Sequence, residues 1–147
     1  MKGYLLDTNV LIALLWPSHA RHEPALKWFA RRRSKGWATC PLTEAGFVRI
    51  VSNPAFSRDA VTPREAAGVL AANTASEDHA FWPDALPLVE AAAFADARLV
   101  GHQQVTDAYL LGLALRRGGV LATLDDRIAA LIEPRTAEFK ALEVVAQ

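Results

Sequence analysis

The chain has 147 residues, enough for one compact domain that buries roughly two-thirds of the surface its unfolded form exposes. Sixteen Lys and Arg balance sixteen Asp and Glu, so no overall basic charge announces a nucleic-acid partner. The single cysteine, Cys40, excludes an intramolecular disulfide and no apolar run approaches a membrane span. The stretch from Met1 and Lys2 to Asp7 is too brief for a leader, so a cytoplasmic protein is expected.

Tyr4–Leu6 has the apolar run of a short buried strand, and residues 8–16 follow as a helix halted by Pro17. A second helix is predicted over 23–35, closed by Gly36, then a strand over 37–40. Pro41 suits the first turn of a helix running to about Val51. Thr62-Pro63-Arg64-Glu65 carries an N-cap, a proline and a first-turn acid, opening an alanine-rich helix to about Asn73. Residues 79–82 form a candidate third strand, and helices are predicted over 86–97 and 104–117, the second closed by Gly118-Gly119. A strand over 120–124, a short helix over 126–132 and a strand over 142–145 complete the chain. Short apolar strands alternating with helices predict an α/β domain over residues 1–147, its mostly parallel sheet covered on both faces. In such sheets a ligand crevice lies beyond the carboxyl ends of the strands, where the strand order switches.

Four acids head inward-facing helical stripes. Asp7 precedes Val10, Leu11 and Leu14 at spacings of three, four and seven; Glu44, Asp107 and Asp125 head similar stripes. Helix capping and the helix dipole favour acids at such places without any function, and Glu90 fits the same pattern. If these helices start at one sheet edge, the acids converge, and like charges held together require a cation. A carboxylate cluster selects a hard ion, Mg²⁺ or Mn²⁺, over zinc. Setting four of the sixteen acids aside leaves twelve against sixteen positive charges, so RNA binding is permitted.

Leu5-Leu6-Asp7-Thr8-Asn9-Val10-Leu11-Ile12 resembles the opening motif of PIN-domain nucleases, in particular the VapC toxins of bacterial toxin–antitoxin pairs. Thr43-Glu44 with Arg49, Val105-Thr106-Asp107-Ala108 and Ala122-Thr123-Leu124-Asp125 resemble the second, third and fourth family segments, in the family's order. The resemblance implies a three-layer α/β/α sandwich around a parallel sheet, with Asp7, Glu44, Asp107 and Asp125 holding one or two Mg²⁺ ions, Mn²⁺ being a possible substitute. Thr8, Asn9 and Thr123 match supporting positions, and Asp126 is the fallback for the fourth acid. The implied activity is metal-assisted hydrolysis of RNA, with translation inhibited. A VapB-like antitoxin and a homodimer are the implied partners.

Other features carry less. His19, His22 and Glu23 lack further ligands at zinc spacing and read as a solvated loop. Arg31, Arg32, Arg33 and Lys35 form a basic run that reads first as a solvated face and second as an RNA contact. Trp28, Trp37 and Trp82 read as core aromatics. The rival functions are a metal-dependent phosphohydrolase of small molecules, opposed by the missing second Asp of the aspartyl phosphatases, and a non-catalytic binding module, opposed by the presence of all four acids.

Overall fold

Alternation along three short strands sets the layers. In the computed structural model, which describes residues 3–83 and 85–145, Tyr4 and Leu6 of β1 (Tyr4–Leu6) enter one core while Leu5 enters another. β2 (Trp37–Thr39) and β4 (Val120–Thr123) divide likewise, Trp37, Val120 and Ala122 to the first core and Ala38 and Leu121 to the second. With β3 (His79–Phe81) and β5 (Leu142–Val144) they form a five-stranded sheet in the order β3-β2-β1-β4-β5, and every pairing is parallel. Met1 and Lys2, on which the leader reading rests, lie outside the described residues. No described helix is long and apolar enough to cross a membrane.

Helices α1 (Thr8–Leu15), α2 (His22–Arg32), α3 (Pro41–Val51) and α4 (Pro63–Thr74) cover the first face. Helices α5 (Leu88–Ala92) and α6 (Val105–Arg117), with the 3₁₀ segment Asp126–Leu131, cover the second. The result is the expected α/β/α sandwich. At eight residues α1 is too short to persist alone. It is held by burying Val10, Leu11, Ile12, Ala13 and Leu14, at about 2 kcal/mol for each large side chain. Thr62 and Glu65 form the reciprocal cap at the start of α4, with Thr62 Oγ1 accepting from Glu65 N at 3.1 Å and Glu65 Oε1 accepting from Thr62 N at 3.3 Å.

Three predicted helices differ from expectation. The helix over 86–97 is only α5: Pro87 sits at its N-cap and the chain turns after Ala92 into the 3₁₀ segment Asp96–Arg98. Its alanines favour continuation, but packing decides otherwise. The Ala91 carbonyl lies so close to Gly112 of α6 that a Cβ there would meet it at 1.9 Å. The segment after Asp125 is 3₁₀ rather than α, with i to i+3 bonds such as Ile132 N to Ala129 O at 3.1 Å. The second helix ends at Arg32, and its last expected turn is the 3₁₀ segment Arg33–Lys35, stopped at Gly36 by a φ of 89°.

Candidate functional site

Because β1 pairs with β2 on one side and β4 on the other, the strand order switches beside β1, and Asp7 stands at its carboxyl end. Asp7 is only 6% exposed. Its Oδ1 accepts from the backbone N of Thr8 at 2.7 Å, capping α1, and its Oδ2 accepts from the Thr123 hydroxyl at 2.8 Å. Thr123 Oγ1 in turn accepts from Asn9 Nδ2 at 3.3 Å and from the backbone N of Asp125 at 3.1 Å. One hydroxyl proton and two lone pairs are thus all used, which fixes that proton on Asp7. Asn9 Oδ1 closes the ring by accepting from Leu124 N at 3.1 Å.

Of the residues expected to support the carboxylates, Thr123 does so directly and Asn9 through Thr123. Thr8 contributes its backbone rather than its hydroxyl. Its side chain packs on Gly46 of α3, where an added Cβ would come within 2.9 Å of Thr8 Oγ1, so the glycine lets α3 approach the start of α1.

Asp107, in the first turn of α6, and Asp125, at the N-cap of the 3₁₀ segment, reach the same edge from the second face. Burial pushes Asp107 up to about 6, and the Asp7 and Asp125 charges add to the rise. Burial likewise raises Asp7, with Asp125 contributing. Asp125 moves the other way because Arg127 grips it: Nε donates to Oδ1 at 2.9 Å and the guanidinium NH₂ to Oδ2 at 2.9 Å. Asp126 is exposed. A cavity of about 230 Å³ opens here, lined by Gln103, Gln104, Asp107, Asp125, Arg127 and Leu131. A roomier groove of about 500 Å³, lined by Leu14, Leu26, Phe29 and Trp37, contains none of the four acids.

Glu44 arrives from the first face on α3 and has partners of its own. Its Oε2 accepts from the buried Thr39 hydroxyl at 2.6 Å, and Thr39 Oγ1 also meets His79 Nε2 at 2.8 Å. Burial lowers the His79 imidazole, while the Glu44 charge opposes that shift. Asp7, Asp107 and Asp125 therefore act on one another, whereas Glu44 acts on His79. Among the described residues no three His, Cys, Asp or Glu side chains are placed to ligate one ion. Sequence reasoning missed Thr39 and His79; the one available signal was alternation placing Thr39 on the face of Trp37.

The remaining candidates have structural partners. Glu90 forms an exposed pair with Arg116 at 3.2 Å. His22 Nδ1 meets the Ala13 carbonyl at 2.8 Å and His19 Nδ1 accepts from Arg21 N at 3.0 Å. Arg32 pairs with Glu143 at 3.0 Å and Arg33 with Asp78 at 2.8 Å, which leaves less of the basic run for RNA. Trp28, Trp37 and Trp82 are buried.

Comparison with known proteins joins this geometry to a family. The PIN domain model matches residues 4–133. Ribonuclease VapC39 of Mycobacterium tuberculosis is 48% identical over 125 residues, covering 85% of this chain and 90% of that one. Ribonuclease VapC38 of the same organism is 45% identical over 131 residues, covering 89% and 91%. A solved structure, that of PAE2754 from Pyrobaculum aerophilum, superposes with a TM-score of 0.60 at 23% identity, covering 97% of this chain and 83% of that one, a likeness of fold.

Proposed function

Because the chain belongs to the PIN-domain family and has VapC ribonucleases as relatives, we propose that it is a metal-dependent endoribonuclease, the toxin of a VapBC-type pair. It cleaves RNA phosphodiester bonds, thereby inhibiting translation, and is silenced by a VapB-like antitoxin. The reading extends to a single nuclease domain over residues 1–147, a cytoplasmic location and a homodimer.

The observation that carries the proposal is the meeting of Asp7, Asp107 and Asp125 at the switch in strand order, with Asp107 pushed up to about 6 by burial and by the other two. Their donor chemistry fits a hard divalent cation: oxygen ligands only, one of them desolvated, under a mutual repulsion that such an ion relieves. Since no three of these side chains are placed to ligate one ion as they stand, Asp7, Asp107 and Asp125 would have to draw together to hold Mg²⁺, or Mn²⁺ in its place, with Glu44 as the fourth acid. The ion would supply the Lewis-acid charge that activates water and stabilises the leaving oxygen.

The chain's own residues bind and orient. Thr123 fixes the Asp7 carboxylate, and Asn9 fixes Thr123. Gln103 and Gln104 line the cavity beside Asp107. Arg127, its side chain 83% exposed, supplies a positive charge at the rim that an RNA phosphate can share once the fork on Asp125 opens. Incubating purified protein with defined tRNA and rRNA fragments is the test. Cleavage is expected with Mg²⁺ and none with EDTA; intact RNA in both, or equal cleavage in both, contradicts the proposal.

A further inference from the structure

Gln104 lines the cavity of about 230 Å³ together with Asp107, Asp125 and Arg127. Its Oε1 accepts from two backbone amides at once, Val100 N at 2.9 Å and Gly101 N at 3.0 Å. Both partners can only donate, so the oxygen must face them and the carboxamide has one orientation. Both lone pairs of Oε1 are spent on the turn that opens the 3₁₀ segment His102–Gln104. Nε2 keeps two hydrogens that meet no protein acceptor among the described residues, and it is open to solvent. Holding the turn accounts for the oxygen and leaves the nitrogen without a task.

The cavity offers room and surface for a nucleotide. Its volume falls below that of pockets for drug-sized ligands, which suits one base with its sugar. The nearly buried Ile128 and Leu131 give it an apolar wall on which a base unstacked from a single strand can lie. An unconstrained glutamine reads adenine by pairing its nitrogen and oxygen with N7 and the amino group. Here the oxygen is occupied, and the side chain presents donors alone. Donors match the acceptor edges of guanine and uracil and oppose the amino groups of adenine and cytosine. We propose that Gln104 is a specificity-determining residue: its Nε2 donates to the keto edge of a guanine or uracil seated in this cavity, beside Asp107 and Asp125. The proposal rests on the reading of this sheet edge as a ribonuclease site.

Sequencing the cut sites in a pool of random single-stranded RNA tests it, with the full chain in Mg²⁺ as wild type, Gln104→Ala and Gln104→Glu. Base frequencies are taken at each protein's own cuts, so a slower variant is read on the same footing. Wild type is expected to favour guanine and uracil about fivefold at one fixed position near the cut, the ratio that a single neutral hydrogen bond supplies. Gln104→Ala is expected to bring that ratio within about twofold of even. Gln104→Glu keeps an acceptor for Val100 N and Gly101 N, so the turn survives, but it offers the base acceptors only. It is expected to reverse the preference toward adenine and cytosine, which a residue that merely held the turn would not do. An even distribution in wild type, or the wild-type preference kept in either variant, overturns the role of Gln104 while RNA is still cut. Uncut RNA with all three proteins overturns the ribonuclease reading and the proposal with it.

Discussion

Two carboxylates of the candidate site are each held by a buried threonine hydroxyl at the end of a strand, but the two threonines are held differently. Thr123 donates to Asp7 at 2.8 Å and accepts only from fixed donors, the Asn9 amide and the Asp125 backbone. Thr39 donates to Glu44 at 2.6 Å and meets the His79 imidazole at 2.8 Å, where donor and acceptor depend on the tautomer. The hydrogen bonds of the Asp7 arm thus run in one direction, because amide hydrogens stay on their nitrogens. Those of the Glu44 arm depend on which ring nitrogen of His79 carries hydrogen. Burial sharpens the contrast, since Asp7 is nearly inaccessible and Glu44 half-buried.

The largest expected effect breaks the cluster itself. Asp107→Asn keeps the volume and removes a charge, and RNA cleavage in Mg²⁺ is expected to fall by about a thousandfold, roughly 4 kcal/mol of barrier. A rate within tenfold of wild type would remove Asp107 from the site. Next, Thr123→Val takes the hydroxyl from a buried carboxylate and leaves the Asn9 amide and Asp125 N–H without their acceptor. Denaturant unfolding is expected to show a loss of about 2–4 kcal/mol. Thr39→Val, with Glu44 free to turn toward water, is expected to cost about 1 kcal/mol. Equal losses would erase the distinction between the two arms.

Smaller effects separate neighbours. Asp125→Asn is expected to impair cleavage at least tenfold more than Asp126→Asn, because Asp125 faces Asp107 and Asp7 while Asp126 is exposed; the reverse order would reassign the fourth acid. Arg127→Ala removes an exposed ion pair and is expected to change stability by less than about 1 kcal/mol. Since it also takes the guanidinium off both Asp125 oxygens and leaves only the backbone N of residue 127 on Oδ1, Mn²⁺ binding by calorimetry is expected to tighten severalfold. Weaker binding would show that the Arg127 fork does not compete with the cation.

The difference between the arms also marks what the sequence could reveal. Asp7, Thr123 and Asp125 sit in short local motifs at strand ends, so the strands that place them are readable from apolar runs a few residues long. Thr39 and His79 meet only through the β2–β3 register, across a separation of 40 residues with no periodic signal. The early end of α5 was hidden for a related reason, because alanines have no local preference for stopping and the stop is set by docking on Gly112. Asp107 and Glu90 head similar stripes, yet one faces the sheet edge and the other an exposed arginine. Helical phase alone does not tell them apart.

Thermal melts of wild type and Asp107→Asn, in EDTA and in millimolar Mg²⁺, test the convergence of the carboxylates without any substrate. An acid raised from its ordinary 3.8 to about 6 binds more protons folded than unfolded between those values. Its ionisation therefore removes stability as pH rises through that window, and the loss is complete above it. For the half-buried Asp107 the cost is about 1 kcal/mol once solvent screening is allowed for. In EDTA at pH 8 the variant is expected to melt above wild type, the gap closing below about pH 4. Mg²⁺ is expected to raise the wild-type melting temperature clearly and that of the variant much less, because a ligand of the folded state stabilises by mass action. A variant that melts below wild type in EDTA, with no Mg²⁺ shift in either protein, would show Asp107 acting only as a favourable helix-start charge and would contradict a cation site built on converging carboxylates.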